Sequence, residues 1–354
     1  MNQQKTNIQQ HIQTSSSVQK AVGKDYNIVK LHGDASNREY SRVTTKTNSY
    51  ILMLMPSNKP ESLAEEYSKD KLKDVELPFL QIQKHFLKKG VRVPQIIVAD
   101  VENRMLLLED FGDDLLLSEV SNDKNKIEPL YKKSLDELAK ISVITDKDPK
   151  DSIAFTRKFD ADLYNWEFHH FIEYGIEKKI KGYKEADTKK IMSEFEKITQ
   201  IYINWPEVLC HRDYHSRNVI VLKSGEIGVI DFQDALMAPL YYDLISLLKD
   251  SYFELSRPQQ ESLAFYYKDK IQNGLSRDEF LYGFDLMSMH RNLKAAGRFS
   301  YFDMVKGNPS YLKDVPRTLS YVKKTLEVHA ELKNLKTLLT PYLDQFSELC
   351  KNHS

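Results

Sequence analysis

The 354-residue sequence predicts an α+β protein of two lobes, an antiparallel β-sheet lobe with helices and then a mostly helical lobe. Short apolar or alternating runs separated by polar turns fill much of residues 28–109, which is typical of a strand meander. Beyond residue 114 helical periodicity dominates, and one β-rich island interrupts it at residues 208–230. The length corresponds to two or three lobes of ordinary size.

The composition excludes several classes of protein. Hydrophobic residues make up 41% and charged residues 29%, which is enough for a large core and excludes disorder. Basic and acidic residues both number 51, so a nucleic-acid partner is not expected. Two cysteines, Cys210 and Cys350, cannot form a disulfide framework and favour a cytoplasmic location. No membrane partner is expected either, because no signal peptide or apolar run of ~20 residues is evident.

The element order follows from these patterns. Residues 1–24 are polar with little periodicity and predict a lead-in that is frayed, disordered or weakly helical. The sheet lobe then occupies residues 25–112 and the helical lobe residues 113–354. Within the sheet lobe we expect strands at 28–33, 39–45, 49–55, 93–100 and 104–109, and helices at 62–72 and 78–89. The island adds short strands at 208–210, 219–222 and 227–230, and an amphipathic tail begins at Tyr321.

The island carries the residues with the clearest chemistry. His211-Arg212-Asp213 is followed five residues later by Asn218, and Asp231 comes after the next predicted hairpin. This spacing matches the kinase signature H-R-D-x-x-x-x-N. Phosphoryl transfer needs an oriented acceptor hydroxyl and cations on the phosphates, and Mg²⁺ prefers oxygen ligands. We therefore predict that Asp213 is the catalytic residue that orients or deprotonates the acceptor hydroxyl, and that Asn218 and Asp231 are ligands of Mg²⁺.

Two alternative metal sites are less consistent with the sequence. Cys210, His211 and His215 lie close together, but a zinc peptidase motif needs a glutamate where Arg212 stands. Asp110-Phe111-Gly112 spells the kinase metal motif, yet it precedes Asp213 by about a hundred residues. We interpret it as the end of a strand at the hinge between the lobes and assign it no metal.

Three other segments are weaker candidates. The turn Gly33-Asp34-Ala35-Ser36 and the following Arg38 could place backbone N–H groups over phosphates, although a plain hairpin turn is the simpler interpretation. Asp243 opens a helix after Pro239 and is expected to tie the metal loop to it by cap-type hydrogen bonds. His169 and His170, in an aromatic helix, are more often core residues than substrate contacts.

Residues 285–330 contain eight basic residues against four acidic ones. Arg291, Asn292 and Lys294 within this segment could hold an anionic or amide-bearing substrate, and His215 could join them from the loop after Asp213. A solvated helix face would give the same composition.

Together these segments resemble the aminoglycoside-phosphotransferase and choline-kinase-like branch of the protein-kinase-like superfamily, over residues 25–330. More closely, the chain is similar to the bacterial anomeric kinases of peptidoglycan recycling, which phosphorylate the C1 hydroxyl of N-acetylmuramate and N-acetylglucosamine. The closer resemblance rests on residues 33–36 with Arg38 and Arg42, and on residues 211–218, 231–235, 239–248, 291–294 and 311–317.

The resemblance implies a two-lobe kinase fold, ATP and Mg²⁺ as cofactors, and an adenine-binding hinge at Glu109–Phe111. It also implies the roles given above for Asp213, Asn218 and Asp231. The third strand departs from the wider superfamily, because Met53 stands where a lysine normally pairs with the phosphates. Arg42, and next Arg38, are our candidate replacements, and Glu65 or Glu66 is the candidate pairing glutamate.

Three functions follow from this interpretation. The leading hypothesis is an ATP-dependent kinase of an amino sugar, with a small-molecule sugar as its partner. The second keeps the reaction and changes the acceptor to an aminoglycoside or a small amino alcohol. The third, motivated by Met53, is a nucleotide-binding pseudokinase.

Overall fold

The computed structural model describes residues 2–31, 38–55, 77–143 and 152–351. The sheet lobe contains five antiparallel strands in the order β1-β2-β3-β5-β4. Their bounds are β1 Tyr26–Lys30, β2 Glu39–Thr45, β3 Ser49–Leu54, β4 Ile96–Asp100 and β5 Met105–Glu109. The meander expected from the alternating sequence is therefore present, with β5 inserted between β3 and β4.

Alternation along the strands gives the sheet two apolar faces. Leu52 of β3 pairs with Leu107 of β5 and belongs to the core on the outer face. Met53 pairs with Leu106, and both belong to the large core that continues into the helical lobe. Because successive side chains point to opposite faces, the interior strand β5, which lies between β3 and β4, is buried on both sides.

Two N-terminal helices cover the outer face of the sheet. These are α1 Asn2–Thr14 and α2 Ser16–Val22, and the Ser15 side chain accepts a hydrogen bond from the backbone of Val18 at the start of α2. Ile8, Ile12, Val18 and Val22 are buried in the outer core. The described part of the lead-in is therefore helical and packed on the sheet, in line with the weakly helical alternative and not with a frayed or disordered segment. The two apolar pairs, each spaced by four, form a narrow stripe among polar residues.

The helical lobe begins after β5. Its helices are α4 Leu116–Asn122, α5 Ile127–Ser142, α6 Ala161–Phe171, α7 Glu185–Tyr202, α8 Tyr242–Leu248, α9 Arg257–Ile271, α10 Arg277–Lys306, α11 Val315–Val328 and α12 Lys333–Lys351; α3 Pro78–Lys88 belongs to the sheet lobe. Two antiparallel strand pairs form the island, β6 Glu207–Cys210 with β9 Leu236–Pro239, and β7 Val219–Val221 with β8 Ile227–Val229.

The longest helix, α10, is the central element of this lobe. It has 30 residues, which corresponds to about 45 Å. A capping box between Ser276 and Glu279 starts it, and Gly307, with a φ of 65°, ends it. It packs against α6, α8 and α11.

The two lobes are joined by direct contacts. Phe232, after β8, packs on Phe79 and Phe86 of α3, with ring centroids 4.8 Å and 5.8 Å apart. The backbone N–H of Val229 donates to the carbonyl of Arg92 at 2.8 Å. The island is thereby fixed against the sheet lobe. Among the described helices, none combines the length and apolar character that crossing a membrane requires.

Candidate active site

The loop between β6 and β7 holds Asp213. Its backbone is fixed from α8, where the Asp243 carboxylate accepts hydrogen bonds from the N–H groups of His211 (2.5 Å) and Arg212 (2.9 Å). Arg212 has a φ of 83°, a conformation that costs a non-glycine residue free energy unless neighbouring contacts hold it. Burial raises the pKa of Asp243 to about 6. Asp243 thus ties α8 to the loop of Asp213 rather than to the loop of Asp231.

The Asp213 carboxylate is partly exposed and is surrounded by positive charge. Its side chain is 38% exposed, and Oδ1 lies 3.1 Å from the ammonium nitrogen of Lys294. Lys294 also donates to the hydroxyl of Tyr242 at 3.3 Å. Desolvation raises the pKa of Asp213, but Lys294 and Arg212 outweigh it and hold that pKa well below its usual range. Asp213 is therefore a carboxylate at neutral pH.

A buried ion pair stands behind Asp213. The guanidinium of Arg212 donates to Glu167 of α6 at 2.9 Å, and both side chains are buried. Glu167 and Tyr242 were not among the residues predicted from the sequence. The signal for Glu167 was a single acid within the aromatic segment 164–171, where a charge needs a buried partner.

Asn218 closes the same loop. Its Nδ2 donates to the backbone carbonyl of Asp213 at 2.9 Å, and its own carbonyl accepts from the N–H of Ile230 at 3.1 Å. The first bond uses the amide hydrogens and so keeps Oδ1 as an oxygen donor. The loop of Asp213 is thereby coupled to the residue before Asp231.

Asp231 follows β8 with a φ of 64°. Its Oδ1 accepts from the Gln233 amide at 3.0 Å. Desolvation by the surrounding protein raises the pKa of Asp231, although the residue itself is exposed; the positive charge of Arg38 opposes the rise, and the carboxylates of Asp234 and Asp213 add to it. A carboxylate next to two others is stabilised by a cation.

The donor set fits Mg²⁺ better than zinc. Among the residues with assigned positions, no group of three or more His, Cys, Asp and Glu side chains is arranged to hold a metal ion. Asn218 and Asp231 instead offer an amide and a carboxylate oxygen, and Mg²⁺ is commonly held by one or two such groups together with water and phosphates. Cys210 and His211 are both buried, but their side chains have different partners. The Cys210 thiol lies near the carbonyls of Ala238 and Pro239, whereas the His211 ring contacts the carbonyl of Ile230.

The hinge segment carries a different network. The Asp110 carboxylate receives hydrogen bonds from Arg42 (2.7 Å), from the hydroxyl of Ser49 (2.5 Å) and from the N–H of Gly112 (2.9 Å). Glu109 is paired with Arg92 at 2.9 Å. Asp110 therefore organises the hinge, in keeping with its exclusion from the metal site.

The ring of Phe111 is pressed against β8. A Cβ added at Gly228 would lie 2.5 Å from this ring, so the strand approaches the hinge as closely as a glycine permits. The guanidinium of Arg92 also lies over this ring, 4.6 Å from its centroid.

The structure separates the two arginines proposed to replace the missing lysine. Arg42 points to the inner face of the sheet as expected, but its guanidinium is bound by Asp110 and by Asp113, the latter at 2.6 Å and 2.8 Å. Arg38 is 4% exposed and is close enough to Asp231 to lower its pKa. Met53 is buried in the core.

The three substrate candidates besides Lys294 lie in different environments. Arg291 is buried, donates to the hydroxyl of Ser246 at 3.0 Å and helps lower the pKa of Asp213. Burial lowers the pKa of His215 to about 3, and its ring lies edge-on to Tyr252. The amide of Asn292 donates to Ser288 within its own helix. Asn292 is thus directed into the helix packing.

Several predicted features lie outside the described residues. They are the helix expected at 62–72, the candidates Glu65 and Glu66, and the turn Gly33, Asp34, Ala35 and Ser36.

The sequence of the chain is similar to those of two bacterial kinases. The chain is 28% identical over 322 residues to the N-acetylmuramate/N-acetylglucosamine kinase of Neisseria meningitidis, covering 89% of this chain and 90% of that protein. It is 29% identical to the protein of the same name from Pseudomonas aeruginosa, covering 88% and 87%.

The fold is similar to that of solved kinases. The choline kinase LicA from Streptococcus pneumoniae superposes with a TM-score of 0.59 at 15% identity, over 92% of this chain and 99% of that one. This likeness confirms the two-lobe fold. The model of the phosphotransferase enzyme family matches residues 27–281, which spans both lobes. The chain therefore belongs to the phosphotransferase enzyme family.

Proposed function

We propose that the chain is an ATP-dependent, Mg²⁺-dependent sugar kinase that phosphorylates the anomeric hydroxyl of N-acetylmuramate, N-acetylglucosamine or both. The observation that carries the proposal is the convergence of Asp213, Asn218 and Asp231 at one side of the cleft. The names of the relatives, which match about nine tenths of the chain, indicate the acceptor.

Asp213 would orient the acceptor hydroxyl. Phosphoryl transfer in most kinases passes through a loose transition state in which positioning matters more than early deprotonation. Because Lys294 and Arg212 keep Asp213 ionised, its carboxylate is a hydrogen-bond acceptor at neutral pH but a weak base. This suits a hemiacetal hydroxyl, which is more acidic than an ordinary alcohol. Asp213 takes the proton late, as the new O–P bond forms.

Asn218 Oδ1 and the carboxylate of Asp231 would hold Mg²⁺. When bound, Mg²⁺ neutralises charge on the phosphates of the nucleotide. The chain's own contribution is to fix the two oxygens, through the Asn218 bond to the loop of Asp213 and the Gln233 bond to Asp231.

Arg38 is the better candidate for the phosphate-facing cation of the sheet lobe. Arg42 already neutralises Asp110 and Asp113, so recruiting it would leave two carboxylates without their partner. Arg38 acts on the electrostatics of Asp231 and therefore lies near the metal-binding end of the cleft. The Arg38 guanidinium would then perform the task of the absent lysine.

An assay with purified enzyme tests the proposal directly. Each sugar is offered with ATP and Mg²⁺, and ADP release is followed together with sugar phosphate formation. We expect turnover with at least one of the two sugars and a large loss in the Asp213→Asn variant. A folded enzyme that releases no ADP with either sugar contradicts the proposal.

The aminoglycoside alternative is disfavoured by the charges around Asp213. Lys294 contacts the carboxylate, and Arg212 and Arg291 add positive potential. A polycationic acceptor would be repelled from this end of the cleft. The contact of Lys294 with Asp213 supports a site bordered by basic residues of α10, which the composition of residues 285–330 alone could not indicate.

A further inference from the structure

The helical lobe contains a second group of residues beside Asp213 that the roles above do not use. It consists of Arg298 and of the partly or largely buried aromatic side chains Trp166, His170, Tyr174 and Tyr301, which we call the aromatic wall. Trp166 and His170 have ring centroids 5.5 Å apart, and Tyr301 lies 5.4 Å from His170 and 5.0 Å from Tyr174.

The guanidinium of Arg298 is largely buried, and one of its nitrogens donates no hydrogen bond within the described residues. Its Nη1 is buried and has no hydrogen-bond partner in the described part of the chain. The guanidinium carbon lies 4.9 Å from the ring centroids of Tyr301 and Phe302. Desolvation lowers the pKa of Arg298. Burying an arginine donor without an acceptor is costly, which indicates that an acceptor arrives with a ligand.

The position of Arg298 relative to Asp213 is set by α10. Arg298 follows Lys294 by four residues, so the two lie on one face of the helix about 6 Å apart along its axis. Lys294 contacts Asp213, and the charge of Asp213 acts on Arg298. This offset suits a ligand whose reacting hydroxyl lies at Asp213 and whose anionic group lies elsewhere on the same ring.

The aromatic wall is held beside Arg298 by close packing of two helices. A Cβ added at Gly297 would lie 2.8 Å from the Cα of Phe171, so α10 and α6 meet backbone to backbone there. Arg298 and His170 flank this contact. Burial lowers the pKa of His170 to about 4, and its Nε2 has no hydrogen-bond partner among the described residues. A neutral ring of this kind can hydrogen-bond a sugar substituent and does not repel the neighbouring Arg298, as an imidazolium would.

We propose that Arg298 binds the carboxylate of an acidic sugar whose ring lies against the aromatic wall, and so selects N-acetylmuramate over N-acetylglucosamine. The inference rests on the proposed function. The guanidinium can donate two parallel hydrogen bonds to a carboxylate, for which a neutral sugar offers no equivalent acceptor.

The test compares N-acetylmuramate, its methyl ester and N-acetylglucosamine on the wild-type enzyme. We expect kcat/KM for the acid to exceed that for the ester by at least ~10-fold, mainly through KM, as expected for a charge-assisted hydrogen bond. This arm uses no variant. Equal values for acid and ester overturn the inference.

Variants then locate the effect. In Arg298→Gln we expect the ratio of kcat/KM for the acid to kcat/KM for the ester to fall to within ~3-fold of one, because the charged donor pair is gone. Arg298→Lys keeps the charge but not the fork and should give an intermediate ratio. Arg277→Gln, at the exposed start of the same helix, is the matched control and should keep the wild-type ratio.

The outcomes separate the two proposals. An active enzyme whose acid-to-ester ratio survives Arg298→Gln overturns the role of Arg298 alone. A folded wild-type enzyme that phosphorylates none of the three sugars overturns the proposed function, and the role of Arg298 with it.

Discussion

At the scale of single residues, the site centres on one carboxylate, Asp213, whose pKa is held low by the neighbouring cations Lys294 and Arg212. The five-residue spacing of Asp213 and Asn218 is local and could be predicted from the sequence. The contact with Lys294 joins residues 81 positions apart and depends on how α10 crosses the loop. The same limit applies to Arg42, whose inward direction follows from strand alternation but whose partners Asp110 and Asp113 do not.

Asp213→Asn tests the orienting role. The amide keeps the shape of the side chain but presents a weaker acceptor and no proton acceptor. We expect kcat to fall by at least ~10²-fold, the low end for loss of acid–base help. Nucleotide affinity should stay within a few-fold, measured by calorimetry. Substantial turnover in a folded variant would contradict the orienting role of Asp213.

Asp231→Asn tests the metal assignment. We expect the affinity for ATP in the presence of Mg²⁺ to fall by at least ~10-fold, since the carboxylate charge that holds the cation is lost. Affinity measured in EDTA should change much less. Asp110→Asn, in the other Asp-Phe sequence, is the matched control, because Asp110 is bound to Arg42 and Ser49. A greater loss of Mg²⁺ dependence in the control than in Asp231→Asn would reverse the assignment.

At the scale of elements, long or strongly patterned segments were predictable. Strand β2 has the predicted bounds, and α3 ends one residue early. Strand β9 was missed because its four residues, Leu236–Pro239, have no alternation and pair with β6 across 25 intervening residues. The N-terminal helices could be expected only as a weakly helical alternative, because their narrow apolar stripe is stabilised by the sheet they cover.

Gly297→Ala tests the packing of α10 on α6. In an open helix this change would stabilise the protein by about 0.5–1 kcal/mol. Here the new Cβ meets the backbone of Phe171, which cannot rotate away. We expect the free energy of unfolding to fall by about 1–3 kcal/mol, as for other overpacked sites. Urea denaturation measures it, and a more stable variant would show that the helices can separate at no cost.

At the scale of the whole molecule, a chain with no net charge concentrates positive charge at one site. Lys294, Arg291 and Arg298 come from one face of α10, and Arg212 comes from the loop of Asp213. The composition could exclude a generally basic surface but could not place these side chains together. A second property of the whole fold is that its buried histidines stay neutral, because burial among aromatic side chains lowers their pKa.

His290→Gln tests this second property. Burial and the nearby cations Lys294, Arg212 and Arg291 lower the pKa of His290 to about 4, and Glu167 opposes them only in part. Between this value and the ordinary 6.5 the unfolded chain binds more protons, so the stability contributed by neutral His290 is complete above pH 6.5 and is lost as the pH falls toward 4.

The difference in unfolding free energy between wild type and His290→Gln should therefore shrink by about 2 kcal/mol from pH 7 to pH 5. Urea denaturation of both proteins at the two pH values measures it, and the other titrating groups cancel in the comparison. A difference that is independent of pH would show that His290 titrates normally.

The linkage of the phosphorylated product tests the central claim most directly. N-acetylglucosamine and N-acetylmuramate are each incubated with ATP, Mg²⁺ and the enzyme, and the product is examined by phosphorus-coupled proton NMR. The account predicts a phosphorus coupling to the anomeric proton, which marks a sugar 1-phosphate. A coupling to the C6 protons, or no sugar phosphate from a folded enzyme, would contradict it.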